Sequence, residues 1–496
     1  MPESRYDAAA AAQIEQLLSD LGYALDELDC QPDGLRCIPV VGSAGKSTLA
    51  LMASAVLRQA GFTVGCFLSG DTLADSVLIN GAPADVHDCA NLQAVIDRCF
   101  APDERSEATL LACALTLFRQ AGCDFVLLEL RTAALAQALP DLAAVLVAAV
   151  DEPEVQNAKA AAAAFRSGVP VVVVPGQEAV ALQQLHTEAE TAGVALILPD
   201  EADFTPLGHR TARNFMDYGG YRLLLPNLGH HMAQNAAAVI ELALALWRSC
   251  AVEIEDEAIL AGLAEACSPT ALRVLCRHPL TLLDSCHTPV QAAALARALQ
   301  GEQLHAVHAI VALSEQDDPE SFFTALESGR LTTQITDKKQ MAGMGEPAID
   351  KVYLLRDGSG LPGELPGSVL EQTARYHFDT CICDRFEQAL ALARAARGDA
   401  LLICGPAVFA ALALRHLRYL EPDADYEPLQ PGFELIVPAA LSAADEQDEE
   451  IEELLRAAAQ GEALFDDQFA EPDEMPAQPF AYTDDEADLY PDGEEI

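Results

Sequence analysis

The sequence predicts an α/β protein: a phosphate-loop-type unit built on a mainly parallel sheet, a smaller Rossmann-like α/β unit after it, and an acidic C-terminal tail. Three observations predict this. Short apolar runs of strand length alternate with helical patterns, first over residues 37–174 and again over residues 280–404. The first of these runs opens into the glycine turn Gly42-Ser-Ala-Gly-Lys-Ser-Thr48, with a helical pattern directly behind it. After Arg418 a single basic residue, Arg456, remains among many Asp and Glu.

In chain order, residues 8–22 read as a helix with Ile14, Leu17, Leu18 and Leu21 on one face. Residues 37–41 form an apolar strand, and residues 49–58 a helix. Residues 61–68 read as the next strand and residues 107–120 as an apolar-periodic helix. Residues 124–129 form a buried strand that ends in a carboxylate, Glu129. Residues 142–150 read as a strand ending at Asp151-Glu152, and an alanine-rich helix leads from there to a strand over 169–174. Strands alternating with helices imply a parallel sheet covered on both faces. Ligands of such sheets lie beyond the strand C-termini, where Lys46, Glu129 and Asp151 fall.

A second unit begins near Ser268-Pro269. Its strands are residues 280–283, 308–313, 380–383 and 400–404, with helices between them. Residues 329–367 are polar and glycine-rich and read as a long loop or insertion. In the tail, residues 433–437 read as a last strand and 448–459 as a short helix, with Ile451, Leu454, Leu455 and Ala458 on one face. The rest has too little apolar content to offset its ordering entropy and reads as a solvated acidic segment. The expected domains are 1–268, 269–420 and 421–496.

An apolar fraction of 51% is ample for globular cores. The 29 basic and 77 acidic residues leave a formal net charge of −48. A field of that sign repels nucleic acid and anionic lipid surfaces, so neither is an expected partner. The 14 cysteines form no Cys-x-x-Cys pair. In a chain of this length they read as buried thiols of a reducing compartment. Met1-Pro-Glu-Ser-Arg5 lacks an apolar signal core, and no apolar run approaches a membrane span. The expected location is the cytoplasm. A monomer is the default expectation, although the residues do not fix an oligomeric state.

The chemistry begins at residues 42–48. Backbone N–H groups at a helix N-terminus point at anionic oxygens, and the helix dipole adds positive potential there. Gly42, Ser43 and Gly45 shape the turn, Lys46 neutralises phosphate charge, and Ser47 and Thr48 offer hydroxyl oxygen to Mg²⁺. The expected ligand is a nucleoside triphosphate such as ATP. The spacing is shorter than the full Gly-x-x-x-x-Gly-Lys-Ser/Thr, so its setting between strand and helix carries much of its meaning. The alternative is an ordinary strand-to-helix turn with an exposed lysine.

Over roughly residues 10–420 the order of motifs resembles the folylpolyglutamate synthase/dihydrofolate synthase branch of the Mur ligase family. Gly42-Ser-Ala-Gly-Lys-Ser-Thr48 is similar to the family phosphate loop. Residues 65–69 and Val77-Leu-Ile-Asn-Gly81 resemble a segment the folate ligases write as Ser-Pro-His-Leu…Ile-Asn-Gly. Leu228-Gly-His-His-Met-Ala-Gln-Asn235 is similar to Leu-Gly-x-His-Gln-x-x-Asn, and Leu283-Asp-Ser-Cys-His-Thr-Pro289 to Leu-Asp-Gly-Ala-His-Asn-Pro. Gly405 stands where the family has a late Gly-Ser-Leu-Tyr.

The resemblance implies a two-step amide ligation. A carboxylate takes the γ-phosphoryl group of ATP, and the amine of an amino acid such as glutamate attacks the resulting acyl phosphate. Catalysis of this kind is positioning plus charge neutralisation. The implied partners are a small carboxylate acceptor, folate among them, and an amino acid. The implied roles are nucleotide phosphates for Lys46; Mg²⁺ for Ser47, Thr48 and Glu129; the nucleotide base for His231 and Asn235; and ribose and phosphates for Asp284 and His287. The plainer alternatives are a strand-end carboxylate facing water at Glu129, an interdomain histidine at 231, a helix-capping aspartate at 284 and a surface histidine at 287.

The chain also departs from the pattern. The family's Gly-Leu-Gly-Gly-Arg is Arg131-Thr-Ala-Ala-Leu135, and its Asp-His is Asp151-Glu152, where Glu152 is still able to ligate Mg²⁺. A family lysine that is carbamylated in active members aligns to Ala161. Lys159 lies two positions away, about 200° around a helix. A nucleotide-binding arginine aligns to Ala271, with Arg273 two residues on. The Ser-Pro-His-Leu contacts are replaced by Ser69-Gly-Asp-Thr72, and an Asp-Lys-Asp by Glu315-Gln-Asp317. Two other functions therefore stay open: a catalytically impaired ATP-binding paralogue acting as regulator or scaffold, and a kinase built on the same loop.

Overall fold

Two largely parallel sheets carry the fold. The computed structural model describes residues 3–414, apart from residues 71, 102–104, 151–152, 211–212, 267–269, 278–279, 303, 305, 330–347, 360–362, 397, 407 and 411. Glu152, the expected strand at 433–437, the expected helix at 448–459 and the whole acidic tail lie outside the described residues.

The first sheet is assembled in this chain order: α1 (Glu3–Glu27), β1 (Arg36–Val41), α2 (Lys46–Gln59), β2 (Val64–Phe67), α3 (Leu73–Ser76), β3 (Val77–Ile79), β4 (Ala82–Pro83), α4 (Val86–Cys99), α5 (Glu107–Gln120), β5 (Phe125–Glu129), β6 (Val145–Val147), α6 (Glu154–Ala162), β7 (Val171–Val173), α7 (Ala179–Ala192) and β8 (Leu196–Ile197). Its strand order is β4-β3-β2-β5-β1-β6-β7-β8. β2, β5, β1, β6, β7 and β8 run parallel, and β3 and β4 add an antiparallel edge. The chain leaves β1 toward β2 on one side and later returns to place β6 on the other. The crevice beyond β1 is therefore a topological switch point, the usual ligand position of such sheets.

Alternation along the strands splits the core in two. In β5, Val126 and Leu128 pack on the α1/α5 side, whereas Phe125 and Leu127 pack with α2. The same alternation brings Glu129 out at the strand end on the α2 side. Helices α8 (His230–Cys250) and α9 (Asp256–Glu265) complete the α2 face. Ahead of them lies a three-stranded antiparallel sheet of β9 (Phe204–Arg210), β10 (Arg213–Tyr218) and β11 (Tyr221–Leu225), which sequence reasoning missed. The Gly219-Gly220 pair between β10 and β11, both at positive φ, was the available hairpin signal.

The second sheet consists of β12 (Arg273–Arg277), β13 (Leu280–Asp284), α10 (Pro289–Gly301), β14 (Val307–Val311), α11 (Pro319–Ser328), β15 (Ile349–Leu355), α12 (Gly367–Ala374), β16 (Asp379–Cys383), α13 (Phe386–Ala395) and β17 (Ala400–Cys404). Its order is β12-β13-β17-β14-β15-β16, parallel except for the edge strand β12. The stretch 329–367, expected as loop, contains β15. Val352, Tyr353, Leu354 and Leu355 are buried between β14 and β16, and polar flanks hid that run. Every described cysteine is a free thiol, and most are buried. Among the described residues no helix is long and apolar enough to cross a membrane.

Close backbone approach fixes α2 against α9. A Cβ at Gly262 would lie 2.5 Å from Val56 Cα. Backbone cannot yield as a side chain does, so Gly262→Ala is expected to cost about 1–3 kcal/mol. Urea unfolding should show a lower midpoint at unchanged slope.

Candidate active site at the glycine turn

The turn after β1 works because two of its residues lack a side chain. Gly42 has φ +122°, and a Cβ there would stand 3.0 Å from the Ala149 carbonyl oxygen. Gly45 caps α2 in the left-handed region at φ +79°. Between them, the N–H groups of Ser43 and Ala44 donate to the Ala149 carbonyl at 2.7 and 3.2 Å. The turn is thus pinned to the segment after β6. That segment is fixed in its turn by Gln177, whose amide donates to the Ala148 and Val174 carbonyls and accepts from the Val150 N–H.

Lys46 bends back over the loop and donates to the carbonyls of Gly42 at 3.0 Å and Ser43 at 3.3 Å. The Ser47 hydroxyl donates to Glu129 Oε2 at 2.7 Å, and the Ser69 N–H reaches the same oxygen at 3.2 Å. Glu129 is only 5% exposed, so it is no ordinary strand-end carboxylate facing water. Thr48 is buried in the first turn of α2. Asn235 of α8 comes to this loop as well: its Nδ2 would be 3.9 Å from a Cβ on Gly45. The structure therefore gathers Gly42, Ser43, Gly45, Lys46, Ser47, Thr48, Glu129 and Asn235 at one end of one sheet.

His231 lies at the start of α8, with its ring over Gly229. A Cβ at Gly229, which has φ +100°, would clash with Cε1 at 2.6 Å. Burial pushes the imidazole down to about 4, with His230 and Arg297 adding to the shift, so it is neutral at pH 7. The residue before this turn, Leu228, packs into the core of the second sheet beside Leu272 and Leu295. Sequence reasoning missed Asn227, which is fully buried and donates to the Ala271 carbonyl at 2.7 Å.

At the second sheet, Asp284 ends β13. Its Oδ2 accepts from the Leu272 N–H at 2.7 Å and its Oδ1 from the Cys286 N–H at 2.8 Å. It does not cap a helix, because Thr288 caps α10 in a box with Gln291. His287 turns Nδ1 to the Ser285 carbonyl at 2.9 Å and is part-exposed.

The departures have definite positions too. Ala161 is buried in the core beside Ala158, whereas Lys159 lies on the exposed face of α6. The two positions point apart, as a helical rotation of about 200° requires. In place of the glycine-rich loop, Glu107 accepts from the N–H groups of Arg131 at 2.5 Å and Thr132 at 2.9 Å. This carboxylate holds the chain just beyond Glu129.

No protein-family model matches the chain. A probable bifunctional folylpolyglutamate synthase/dihydropteroate synthase of Haloferax volcanii is 25% identical over 402 residues, 74% of this chain and 46% of that protein. A dihydrofolate synthase/folylpolyglutamate synthase of Bacillus subtilis is 25% identical over 337 residues, 62% of this chain and 76% of that protein. The chain thus spans under half of the Haloferax relative. A solved bifunctional folylpolyglutamate synthase/dihydrofolate synthase of Yersinia pestis, in complex with AMPPNP and a Mn ion, superposes with a TM-score of 0.61 at 22% identity. That match covers 82% of this chain and 93% of the other. The chain is similar in sequence to folylpolyglutamate/dihydrofolate synthases and has their fold.

Asp284 gives a pH signature. Burial pushes its carboxyl from 3.8 up to about 7, and the two backbone N–H bonds counter only part of that rise. A raised folded-state value means the group's contribution is complete below pH 3.8 and fades as pH climbs toward 7. Asp284→Asn removes this titration. Its thermal midpoint relative to the parent protein should therefore rise between pH 4 and 7, and a constant difference across that window would contradict the assignment.

Proposed function

We propose that this chain is an ATP-dependent C–N ligase of the folylpolyglutamate/dihydrofolate synthase type, which activates a carboxylate as an acyl phosphate and joins an amino acid such as glutamate to it. The observation that carries this reading is the Ser47–Glu129 pair beside Lys46, at the switch point of a sheet with the synthase fold. The named activities of the relatives support it.

The residues fit ATP and Mg²⁺. The Ser47 hydroxyl donates its hydrogen bond to Glu129, which leaves its oxygen lone pairs for a cation next to a carboxylate. Mg²⁺ is typically held by one or two carboxylates plus substrate phosphates rather than by an all-protein cage. Glu129, Ser47 and Thr48 would hold it, with Glu152, outside the described residues, as a further donor. The first-turn N–H groups of α2 and Lys46 would take the phosphates. When bound, the metal supplies charge neutralisation on the transferring phosphoryl group. Lys46 must leave the Gly42 and Ser43 carbonyls to reach a phosphate, a local side-chain swing rather than a rearrangement. His231, neutral and packed over Gly229, offers a ring face and one nitrogen to the nucleotide base with Asn235. Asp284 and His287 stand at the C-terminal edge of the second sheet.

On this reading residues 1–268 form the ATP-binding domain, 269–420 the smaller α/β domain and 421–496 an acidic tail. The acceptor is a small carboxylate of the folate class, and nucleic acid and membranes are not partners. A cytoplasmic monomer is the working form, with the free buried thiols in support of a reducing compartment.

Phosphate release should require Mg-ATP, tetrahydrofolate or dihydropteroate, and glutamate together. Mg-AMPPNP binding by calorimetry without turnover on any such acceptor would instead identify a catalytically impaired paralogue. Lys46→Ala should lower kcat about 10²–10³-fold, the usual loss for one preorganised charge-stabilising donor. Glu129→Gln should raise the Mg²⁺ concentration needed for half-maximal rate.

A further inference from the structure

Arg273, the first residue of β12, is 8% exposed, and its Nη1 is buried without a hydrogen-bond partner among the described residues. A buried guanidinium nitrogen left unpaired is costly, and a bound ligand or ion is one way such a group is completed. The nearest acidic side chain by strand register does not complete it. Arg273 pairs with Leu283, one residue short of Asp284, and Asp284 turns its two oxygens to the N–H groups of Leu272 and Cys286, with no hydrogen bond to Nη1. β12 runs antiparallel to β13, so its first residue lies at the C-terminal edge of the parallel strands, where ligands of such sheets sit.

The backbone beneath Arg273 is anchored from both sides. Asn227, from the segment leading into α8, holds the Ala271 carbonyl, and Asp284 holds the Leu272 N–H. Leu272 itself is set at φ +41°, an uncommon conformation for a leucine. An arginine on a fixed backbone, with a free nitrogen out of solvent, is preorganised for an oxyanion. Phosphate and carboxylate oxygens both match its planar fork.

We propose that Arg273 is an oxyanion-binding residue of this active site, and that Asp284 is a positioning residue that aims it through the backbone instead of touching substrate. This rests on the ligase reading above. The oxyanion is a nucleotide phosphate or the carboxylate of the acceptor or amino acid, and the two sources separate by measurement.

The full-length protein, Arg273→Met, Arg273→Lys, Asp284→Asn and the Arg273→Met/Asp284→Asn double variant are compared. The readouts are calorimetry with Mg-AMPPNP, KM for tetrahydrofolate and for glutamate, and the ligand-free thermal midpoint. Arg273→Met should weaken one of these constants at least tenfold while the midpoint holds or rises, because an unpaired buried charge has gone. Arg273→Lys should recover part of the loss. A weaker Kd for Mg-AMPPNP names a phosphate as the partner, and a raised KM names a carboxylate. Asp284→Asn should move the same constant, and the double variant should be no worse than Arg273→Met alone.

Unchanged constants in Arg273→Met, with or without a fall in midpoint, would overturn the proposal. Additive losses in the double variant would overturn the role given to Asp284. Should Arg273→Met fail to fold, Arg273→Lys decides: a shifted constant at an unchanged midpoint supports the assignment, and unchanged constants overturn it. A parent protein that neither binds Mg-AMPPNP nor turns over would overturn both this inference and the ligase reading. A parent that does both, while Arg273→Met matches it, overturns this inference alone.

Discussion

The hydrogen bond from Ser47 to Glu129 is the interaction on which the site depends. It joins the N-terminus of α2 to the end of β5, 82 positions further along the chain. It holds only if three separate conditions are met. β1 and β5 must pair in the register that aligns Val40 with Glu129, the turn must close against Ala149, and α2 must start at Lys46. Glycine at 42 and 45 makes the second condition possible, because a side chain at either position meets strained backbone or, at 42, the Ala149 carbonyl. A buried carboxylate is tolerable here because a hydroxyl and a backbone N–H satisfy one of its oxygens, and a cation would complete the rest.

A short segment ties the second sheet to this centre. Asn227 fixes the Ala271 carbonyl, Leu228 enters the second core, Gly229 admits the His231 ring, and Asn235, one and a half turns along α8, approaches Gly45. The motif from 228 to 235 thus has a mechanical part. Its leucine is a packing peg, its glycine a clearance, and its asparagine a link to the glycine turn.

The places where the chain departs from its relatives do not form one gap. Ala161 is absorbed into the core, Lys159 faces solvent, and the loop after Glu129 is held by Glu107 instead of by glycines. The glycine turn keeps the residue types of the pattern, while the pattern's later lysine and arginine are Ala161 and Ala271 here. Arg273 is a buried cation at the C-terminal edge of the second sheet.

Periodicity and the glycine turn were enough to place the parallel strands β1, β2, β5, β6, β7, β13, β14, β16 and β17, because each is a short apolar run closed by turn residues. β15 and the hairpin sheet of β9–β11 were not legible. β15 has polar flanks and is buried by pairing with β14 and β16, whereas β9–β11 pair locally, are half-polar in sequence and offered only the Gly219-Gly220 turn as a signal. The sequence by itself determined the residue types at the site: a lysine, two hydroxyls and a strand-end carboxylate at the edge where such sheets bind ligands. Tertiary structure alone decided which of these meet, because hydrogen-bond partners such as Ser47–Glu129, Asn227–Ala271 and Asp284–Leu272 follow from strand register and helix placement. The same placement put Lys159 in solvent and left Arg273 buried with an unpaired nitrogen, a distinction invisible to spacing because both lie two positions from the residue the family pattern would name.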